Sequence, residues 1–315
     1  MDALPITEAT GVLHASTRPG LMHACGHDGH TAMLLGAAQY LAETRDFDGT
    51  IAVIFQPAEE GGNGAKAMID DGMIERFGLK EVYGLHNRPG LAKGQFASRP
   101  AELMASADVF GITITGKGGH AARPHLCIDP MFVVSQIHLG LQAIVARNVD
   151  PLKCLVVSVT QISGGEADNV IAQTATLRGT VRTLDEDLRV FAEERITEIA
   201  QGIATAHRAE AQVTYERICS PTINHPENAR YAAQVAGQLV GDEKVDMDFP
   251  TNMGGEDFSF MLQALPGAHM FIGHGDSAGL HHHEYDFDDS IIPLGCRYWV
   301  ELAQARGAAL TGNSA

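Results

Sequence analysis

The sequence feature that most constrains the fold is the stretch Met22–Ala42, where a cluster of metal-ligand side chains runs directly into a helical pattern. Its apolar residues recur at the spacing of one buried helix face, which predicts a helix that ends near Arg45. A thiol and an imidazole two residues apart cannot face the same way on a helix, so Cys25-Gly26-His27 is predicted to be a loop directed at one point. That point is most simply a metal ion. The donor side chains of this cluster are Cys25, His27, Asp28 and His30.

Composition excludes several classes of partner. With 315 residues, of which 45% are hydrophobic and 19% charged, the chain can bury a sizeable core and is expected to form two domains. The formal net charge of -17 argues against a nucleic acid or an anionic membrane surface as partner, because both require clustered Lys and Arg. The five cysteines are widely spaced and never form a CxxC pair, which favours reduced thiols. Since no apolar run resembles a membrane span or a signal peptide, we expect a cytoplasmic protein.

The first hundred residues show the strand and loop pattern of an α/β protein. Thr50–Phe55 is β-rich and predicts a strand, and the loop after it carries two adjacent carboxylates, Glu59 and Glu60. Glu81–Leu85 predicts a second strand with His86 at its end. Ligands in open α/β sheets bind beyond the carboxyl ends of the strands, and all three polar residues fall there.

From about Ser98 the pattern changes to that of an α+β module. Strands and helices follow one another in the order β-α-β-β-α-β, which is typical of ferredoxin-like domains. The predicted elements are residues 110–114, 130–146, 155–162, 174–183, 185–207 and 211–216. After Pro221 the α/β pattern returns. We therefore predict one domain in two parts, residues 1–98 and 218–315, with a second domain inserted over residues 99–217.

Several donors follow predicted strands or lie in Gly-rich loops, and their types suit a borderline divalent cation. They are Cys25, His27, Glu60, His86 and one of the three histidines His281, His282 and His283. Five donors exceed what one tetrahedral ion needs, so two ions that share a bridging ligand are predicted. Such ions polarise a carbonyl and lower the pKa of a bridging water. Glu59 is then available as the base that takes the proton of the water and returns it to a leaving amine.

Eight motifs occur in order over essentially the whole chain. They are MHACGHDGHTAMLLGAA, FQPAEEGGNGAKAMIDDG, GLHNRPG, GKGGHAARPH, NVI, RGTVRT, MGGEDFSF and LHHHEYDFDD. Together they resemble the landmarks of the M20 metallopeptidase family. The resemblance is to its amidohydrolase branch, which contains hippurate hydrolases, N-acyl-L-amino-acid amidohydrolases and auxin-conjugate hydrolases.

The resemblance implies a di-metal catalytic domain, with a central mixed sheet flanked by helices, and an inserted ferredoxin-like lid domain through which the protein forms a homodimer. It implies hydrolysis of the amide bond of a small N-acyl amino acid. The ions would be zinc, manganese, cobalt or nickel, since a thiolate favours zinc whereas carboxylate-rich two-metal sites accept the other three.

Residue roles follow from the resemblance position by position. It implies Glu59 as the general base, and His120 of the lid as a group that holds the carbonyl oxygen as it becomes an oxyanion. Asn169 is the matching polar residue of the NVI motif, and Asp2 matches the aspartate that supports the metal site. The implied metal ligands are Cys25, His27, Glu60, His86 and His281.

Arg182 is a candidate partner for the substrate carboxylate on chemical grounds, because a guanidinium binds a carboxylate in bidentate fashion. The simpler interpretation of Arg182 is an exposed strand residue paired with a neighbouring acid. For His120 and Asn169 the simpler interpretation is that they stabilise the turns in which they stand.

The chain departs from the family pattern at three places. His283 stands where proline is usual, and Ala172 follows the NVI motif where proline is usual. MDALPI resembles the middle of a longer motif, so we expect N-terminal elements of the family to be missing, with reduced stability or increased association as the consequence. Two alternative functions therefore stay open: a peptidase or N-acyl-diaminopimelate deacylase of the same family, and a truncated, inactive metal-binding homologue.

Overall fold

The computed structural model describes residues 2–311. Its helices are α1 (His27–Thr44), α2 (Gly64–Asp70), α3 (Met73–Phe77), α4 (Pro130–Ala143), α5 (Glu186–Ala206), α6 (Pro226–Val240), α7 (Ser259–Ala264) and α8 (Ile292–Thr311). Its strands are β1 (Val82–Pro89), β2 (Phe96–Ala97), β3 (Glu102–Met104), β4 (Ala107–Thr115), β5 (Gly119–His120), β6 (Leu155–Gly164), β7 (Val170–Ile171), β8 (Thr174–Thr183), β9 (Glu210–Cys219), β10 (Thr222–Ile223), β11 (Val245–Asp246) and β12 (Gly267–Gly275).

The chain forms two compact units. Unit 1 comprises the described residues of Met1–Leu103, Thr222–Thr251 and Asp257–Ala315, and unit 2 comprises Met104–Pro221 and Asn252–Glu256. The breaks at residues 103 and 221 lie close to the predicted boundaries at 98 and 217. The segment Asn252–Glu256 differs, because the sequence interpretation assigned it to the second part of the first domain.

Unit 1 is built on a mixed four-stranded sheet with the order β1-β12-β2-β11. Strands β1 and β12 are parallel, β12 and β2 are antiparallel, and β2 and β11 are parallel. Eight of the nine residues of β12 are buried, which identifies it as a central strand covered on both faces. Helices α1, α6 and α8 contribute apolar side chains to the same core, among them Met33, Ala232 and Tyr298.

The predicted helix of the donor-rich stretch is confirmed. Helix α1 ends at Thr44, and Arg45 adopts a left-handed conformation (φ 51°) in which its N–H donates to the carbonyl of Leu41. Met33, Ala37 and Leu41 are buried, as the spacing predicts.

Two predictions for unit 1 are wrong in detail. Thr50–Phe55 forms no strand, because none of the described strands pairs with it, and a β-rich run needs a neighbour to complete its hydrogen bonds. His86 lies within β1, three residues before the last, instead of following a strand. Strand β1 continues because its parallel partner β12 runs alongside it over Val82–Pro89.

Unit 2 is the predicted β-α-β-β-α-β module. Strands β4, β6, β8 and β9 form an antiparallel sheet with the order β6-β8-β4-β9, the arrangement of ferredoxin-like domains. Strand β8 has the predicted bounds, and its buried residues alternate with exposed or half-buried ones. Helices α4 and α5 pack on this sheet through a continuous apolar core that includes Ile112, Ile137 and Ile196. No helix among the described residues combines the length and the apolar character that crossing a bilayer requires.

Candidate metal centre

The turn before α1 presents two of the predicted ligands. Cys25 and His27 flank Gly26, whose φ of 84° lies in the left-handed region that glycine adopts without strain. A side chain at Gly26 would also collide with Tyr285, since an ideal Cβ would lie 2.6 Å from the Tyr285 Oη. The glycine thus allows the chain to turn sharply, with the thiol and the imidazole directed at the same region.

All five predicted ligands come together in unit 1. The ligand atoms of Cys25, His27 and His86 lie within 4.8 Å of one another, and so do those of Cys25, Glu60 and His281. Cys25 is common to both groups, and its Sγ lies 3.4 Å from the His86 Nε2. Two overlapping groups of donors match the two-ion arrangement predicted from the number of ligands.

Asp2 supports the centre from the side. One carboxylate oxygen of Asp2 lies 2.5 Å from the His27 Nδ1, and the other accepts from the backbone N–H of Glu60 at 2.9 Å. Burial disfavours the charged form of Asp2, but the hydrogen bond from Glu60 and the contact with His27 outweigh it and lower the pKa of Asp2. The ionised carboxylate therefore fixes the His27 proton on Nδ1 and leaves Nε2 available as a ligand.

His86 is oriented in the same way by its neighbour. Its Nδ1 donates to the carbonyl of Asn87 at 2.7 Å, which leaves the Nε2 lone pair facing Cys25. Burial lowers the pKa of His86 well below its usual value. The ring is therefore neutral at pH 7, and the neutral imidazole is the form that binds a metal ion.

His281 has a strained backbone. Its φ of 64° places a non-glycine residue in the left-handed region, which costs on the order of 1–2 kcal/mol. Its N–H donates to the carbonyl of Ala24 at 2.8 Å, and its Nε2 lies 3.2 Å from the Glu60 Oε1. The strain is held where it brings the imidazole to the carboxylate of Glu60.

The donor set fits a divalent metal ion. The Glu60 Oε1 is buried and makes no hydrogen bond with the described residues, and its polar neighbour is the His281 Nε2 at 3.2 Å, the nitrogen proposed to bind metal. A buried carboxylate oxygen without a partner is energetically unfavourable unless a ligand completes it. Thiolate, imidazole and carboxylate together are the set that borderline cations such as Zn²⁺ take.

Glu59 lies beside the ligands on a loop that is fixed at both ends. Its Oε2 is 4.0 Å from the His27 Nε2. The buried carboxylate of Asp257 accepts from the Gln56 side chain at 2.5 Å and from the backbone N–H of Ala65 at 3.0 Å. These two contacts stand before and after Glu59 in the chain, so Asp257 holds the loop that carries it. Sequence reasoning missed this role of Asp257, although MGGEDFSF was recognised as a motif.

The neighbouring donors are directed elsewhere. Asp28 is exposed in the first turn of α1. His282 and His283 are exposed and stack on each other at 4.3 Å between ring centroids, where they form a separate group with Glu284. Of the three consecutive histidines, His281 joins the group with Cys25 and Glu60.

The candidate residues of unit 2 divide into a pair and an isolated residue. His120 is opposite Val170 in the β5–β7 pair, and the N–H of Ala121 donates to the carbonyl of Asn169, so His120 and Asn169 lie close together and are exposed. The side chain of Gln173 accepts a hydrogen bond from the backbone N–H of Gly118, so Gln173 lies beside the turn that carries His120. Arg182 lies in β8, nine residues beyond Gln173. At strand geometry nine residues span about 30 Å. Arg182 donates to Thr180 and Val181 of its own strand and is not brought to the His120 turn.

Comparison with known proteins decides the family. The model of peptidase family M20/M25/M40 matches residues 1–305. The chain belongs to the M20 peptidase family.

Named relatives match almost the whole chain. The chain is 39% identical to a hippurate hydrolase of Campylobacter jejuni, over 96% of this chain and 79% of the relative. It is 40% identical to an N-acetyl-L-cysteine deacetylase of Bacillus subtilis, over 96% of this chain and 72% of the relative. The crystal structure of the Bacillus subtilis YXEP protein, a dinuclear metal binding peptidase of the M20 family, superposes with a TM-score of 0.83 at 33% identity, over 97% of this chain and 79% of that one. M20 membership and the donor set together support divalent metal ions as cofactors of this chain.

Proposed function

We propose that this chain is a metal-dependent amidohydrolase that cleaves the amide bond of N-acyl amino acids and releases a carboxylic acid and the free amino acid. The observation that carries the proposal is the convergence of five ligand-type side chains beside a second carboxylate, Glu59, whose oxygen lies within 4.8 Å of the ligand atoms of His27 and Glu60. A purely structural ion needs no such additional carboxylate. The relatives named for hippurate and N-acetylcysteine support the substrate class.

In the proposed mechanism, one set of residues holds the ions and a second set orients the ligands. Two divalent ions, zinc, manganese, cobalt or nickel, would be held by Cys25, His27, Glu60, His86 and His281. When bound, the ions polarise the amide carbonyl and make a coordinated water more acidic. Asp2 and the Asn87 carbonyl keep the Nδ1 protons of His27 and His86 in place, so both rings keep the tautomer that binds through Nε2.

Glu59 is the proposed general base. It takes a proton from the attacking water and returns it to the nitrogen of the leaving amino acid, which balances the hydrolysis. The loop that bears it is anchored through Asp257, so its position does not depend on the ligands alone.

The lid residues are proposed to act on the substrate. His120 would stabilise the carbonyl oxygen as negative charge develops, and the neighbouring Asn169 would contact the substrate. Arg182 is proposed as the partner of the substrate carboxylate. We further propose a cytoplasmic homodimer that associates through unit 2.

The function is tested with a panel of N-benzoyl and N-acetyl amino acids, incubated with the chain and added manganese or zinc. Free amino acid should appear only with metal and should disappear with a chelator. Dipeptides and N-acyl-diaminopimelate belong in the panel, and preferential cleavage of either would replace the proposed substrate class. A folded, metal-loaded sample that releases no amino acid from any substrate would refute the proposal and identify an inactive metal-binding homologue.

A further inference from the structure

We infer that His30, Asn87 and Tyr285 form a positioning network that holds the ligand-bearing turn and strand of the metal centre. The inference rests on the proposed function, because it assumes that Cys25, His27 and His86 bind metal. Among the described residues, His30 belongs to none of the groups of His, Cys, Asp and Glu that could hold a metal ion. The three network residues act through the ligands that they contact.

The network is a buried chain of polar contacts. The His30 Nε2 lies 2.7 Å from the Asn87 Oδ1 and 2.9 Å from the Asn87 backbone nitrogen. It donates to the Oδ1 in one tautomer and accepts from the N–H in the other, so Asn87 offers this nitrogen a hydrogen bond in either form. The Asn87 Nδ2 donates to the Tyr285 Oη at 2.7 Å. Asn87 is 0% exposed and Tyr285 is 2% exposed. Hydrogen bonds in such surroundings are strong, and a lost partner leaves a buried polar group unsatisfied.

His30 supports both ligand rings. Its ring packs against His86 with a centroid separation of 4.4 Å and against His27 at 5.6 Å. Phe287 closes the outer side of the His30 ring with an edge contact at 6.1 Å. Rotation of the His30 ring would therefore displace an imidazole that is proposed to bind metal.

Asn87 and Tyr285 support the turn that carries the thiol. An ideal Cβ on Gly26 would lie 2.6 Å from the Tyr285 Oη and 2.7 Å from the Asn87 Oδ1, so the backbone between Cys25 and His27 rests directly on these two polar atoms. The same Asn87 accepts the Nδ1 proton of His86 through its carbonyl. One residue thus connects the turn before α1 to the ligand on β1.

A pair of tyrosines provides a matched test. Tyr285→Phe removes only the hydroxyl that completes the network. Tyr298→Phe makes the identical change at a fully buried tyrosine whose hydroxyl has no hydrogen-bond partner among the described residues. Binding of Co²⁺ is measured by titration, together with the thiolate-to-cobalt absorption that reports the contact of Cys25 with the ion.

We expect Tyr285→Phe to weaken Co²⁺ binding about tenfold or more, in the range typical of a lost supporting contact, and to alter the thiolate-to-cobalt band. Tyr298→Phe should bind Co²⁺ as the unmodified chain does. His30→Gln examines the same network from its other end and should also weaken binding, which keeps the test decisive if one variant folds poorly. Unchanged affinity and an unchanged band in both Tyr285→Phe and His30→Gln would overturn the inference alone. Failure of the unmodified chain to bind Co²⁺ would overturn the proposed metal centre and the network with it.

Discussion

Units 1 and 2 both bury polar side chains, but they satisfy them differently. In unit 2 the carboxylate of Asp108 is 0% exposed and meets the guanidinium of Arg189 at 2.6 Å, while Tyr215 donates to its second oxygen at 2.8 Å. Ser220 accepts from the same guanidinium at 3.0 Å. Every charge of this network has a partner inside the unit.

The buried groups of unit 1 are incomplete by comparison. The buried Glu60 Oε1 makes no hydrogen bond with the described residues, although the His281 Nε2 lies 3.2 Å away, and desolvation lowers the pKa of the proposed ligand His86. A satisfied network such as that of Asp108 needs nothing from outside and serves the stability of its unit. The donors of unit 1 become satisfied when a cation is bound, so their arrangement serves binding.

The largest expected effect concerns Glu59, the proposed general base. Glu59→Gln should retain metal and fold but reduce turnover by roughly two to four orders of magnitude, the usual contribution of a general base. Steady-state kinetics with the best substrate and metal analysis of the same sample give the result. Glu194→Gln, the same change at an exposed position of α5, is the control. Near-normal activity of Glu59→Gln would remove Glu59 from the mechanism.

Removing one partner from the buried Asp108–Arg189 network of unit 2 should lower the stability of the protein. Arg189→Met leaves the Asp108 carboxylate buried without its counter-ion, and the free energy of unfolding should fall by about 3–5 kcal/mol. Arg195→Met removes a partly exposed pair with Glu198 and should cost less than about 1 kcal/mol. Denaturant melts of the two variants measure the difference. Equal losses would show that the buried pair is no more important than a surface one.

Removal of a ligand from unit 1 should lower metal binding with little loss of stability. His281→Gly deletes the imidazole and relieves the left-handed strain, since glycine adopts a φ of 64° without a penalty. Metal affinity should fall by more than the roughly 10–100-fold that a supporting contact contributes. His282→Ala should leave the content of tightly bound metal unchanged. The reverse pattern in elemental analysis would mean that a different histidine completes the centre.

The smallest effect is a pH dependence of the chelated protein. Burial lowers the pKa of His269 in β12 to about 4, below the value near 6.5 expected in the unfolded chain. Between these values the unfolded chain binds more protons, so the free energy of unfolding rises with pH by up to about 1.4 kcal/mol per pH unit for this group. The contribution is fully present above pH 6.5 and is lost as the pH falls toward 4. His269→Gln should flatten the slope in thermal melts between pH 4.5 and 6.5, and an unchanged slope would show that other groups dominate.

The sequence was most informative where the required chemistry is local. Cys25 and His27 stand around one glycine, Glu59 and Glu60 are adjacent, and the unit 2 sheet follows from clean alternation such as that of β8. These features need only ligand types and periodicity, which a single stretch of sequence contains.

Contacts between residues that are far apart in the sequence could not be predicted. Asn87 and Tyr285 are 198 positions apart, and Asp257 reaches Gln56 from 201 positions away, so no local pattern reveals either contact. The β-rich run Thr50–Phe55 failed for the same reason, since strand formation depends on a neighbour that the run does not encode.

The fit of Gly29 against Phe287 limits how this protein can be diversified in the laboratory. A methyl group on Gly29 would lie 2.4 Å from carbon atoms of the Phe287 ring, closer than two carbons can approach. A mutant library that varies this codon would therefore yield clones in which the start of α1 or the Phe287 ring is displaced. Because α1 begins at His27, a loss of activity in such clones would report this displacement before it reported any change in substrate preference.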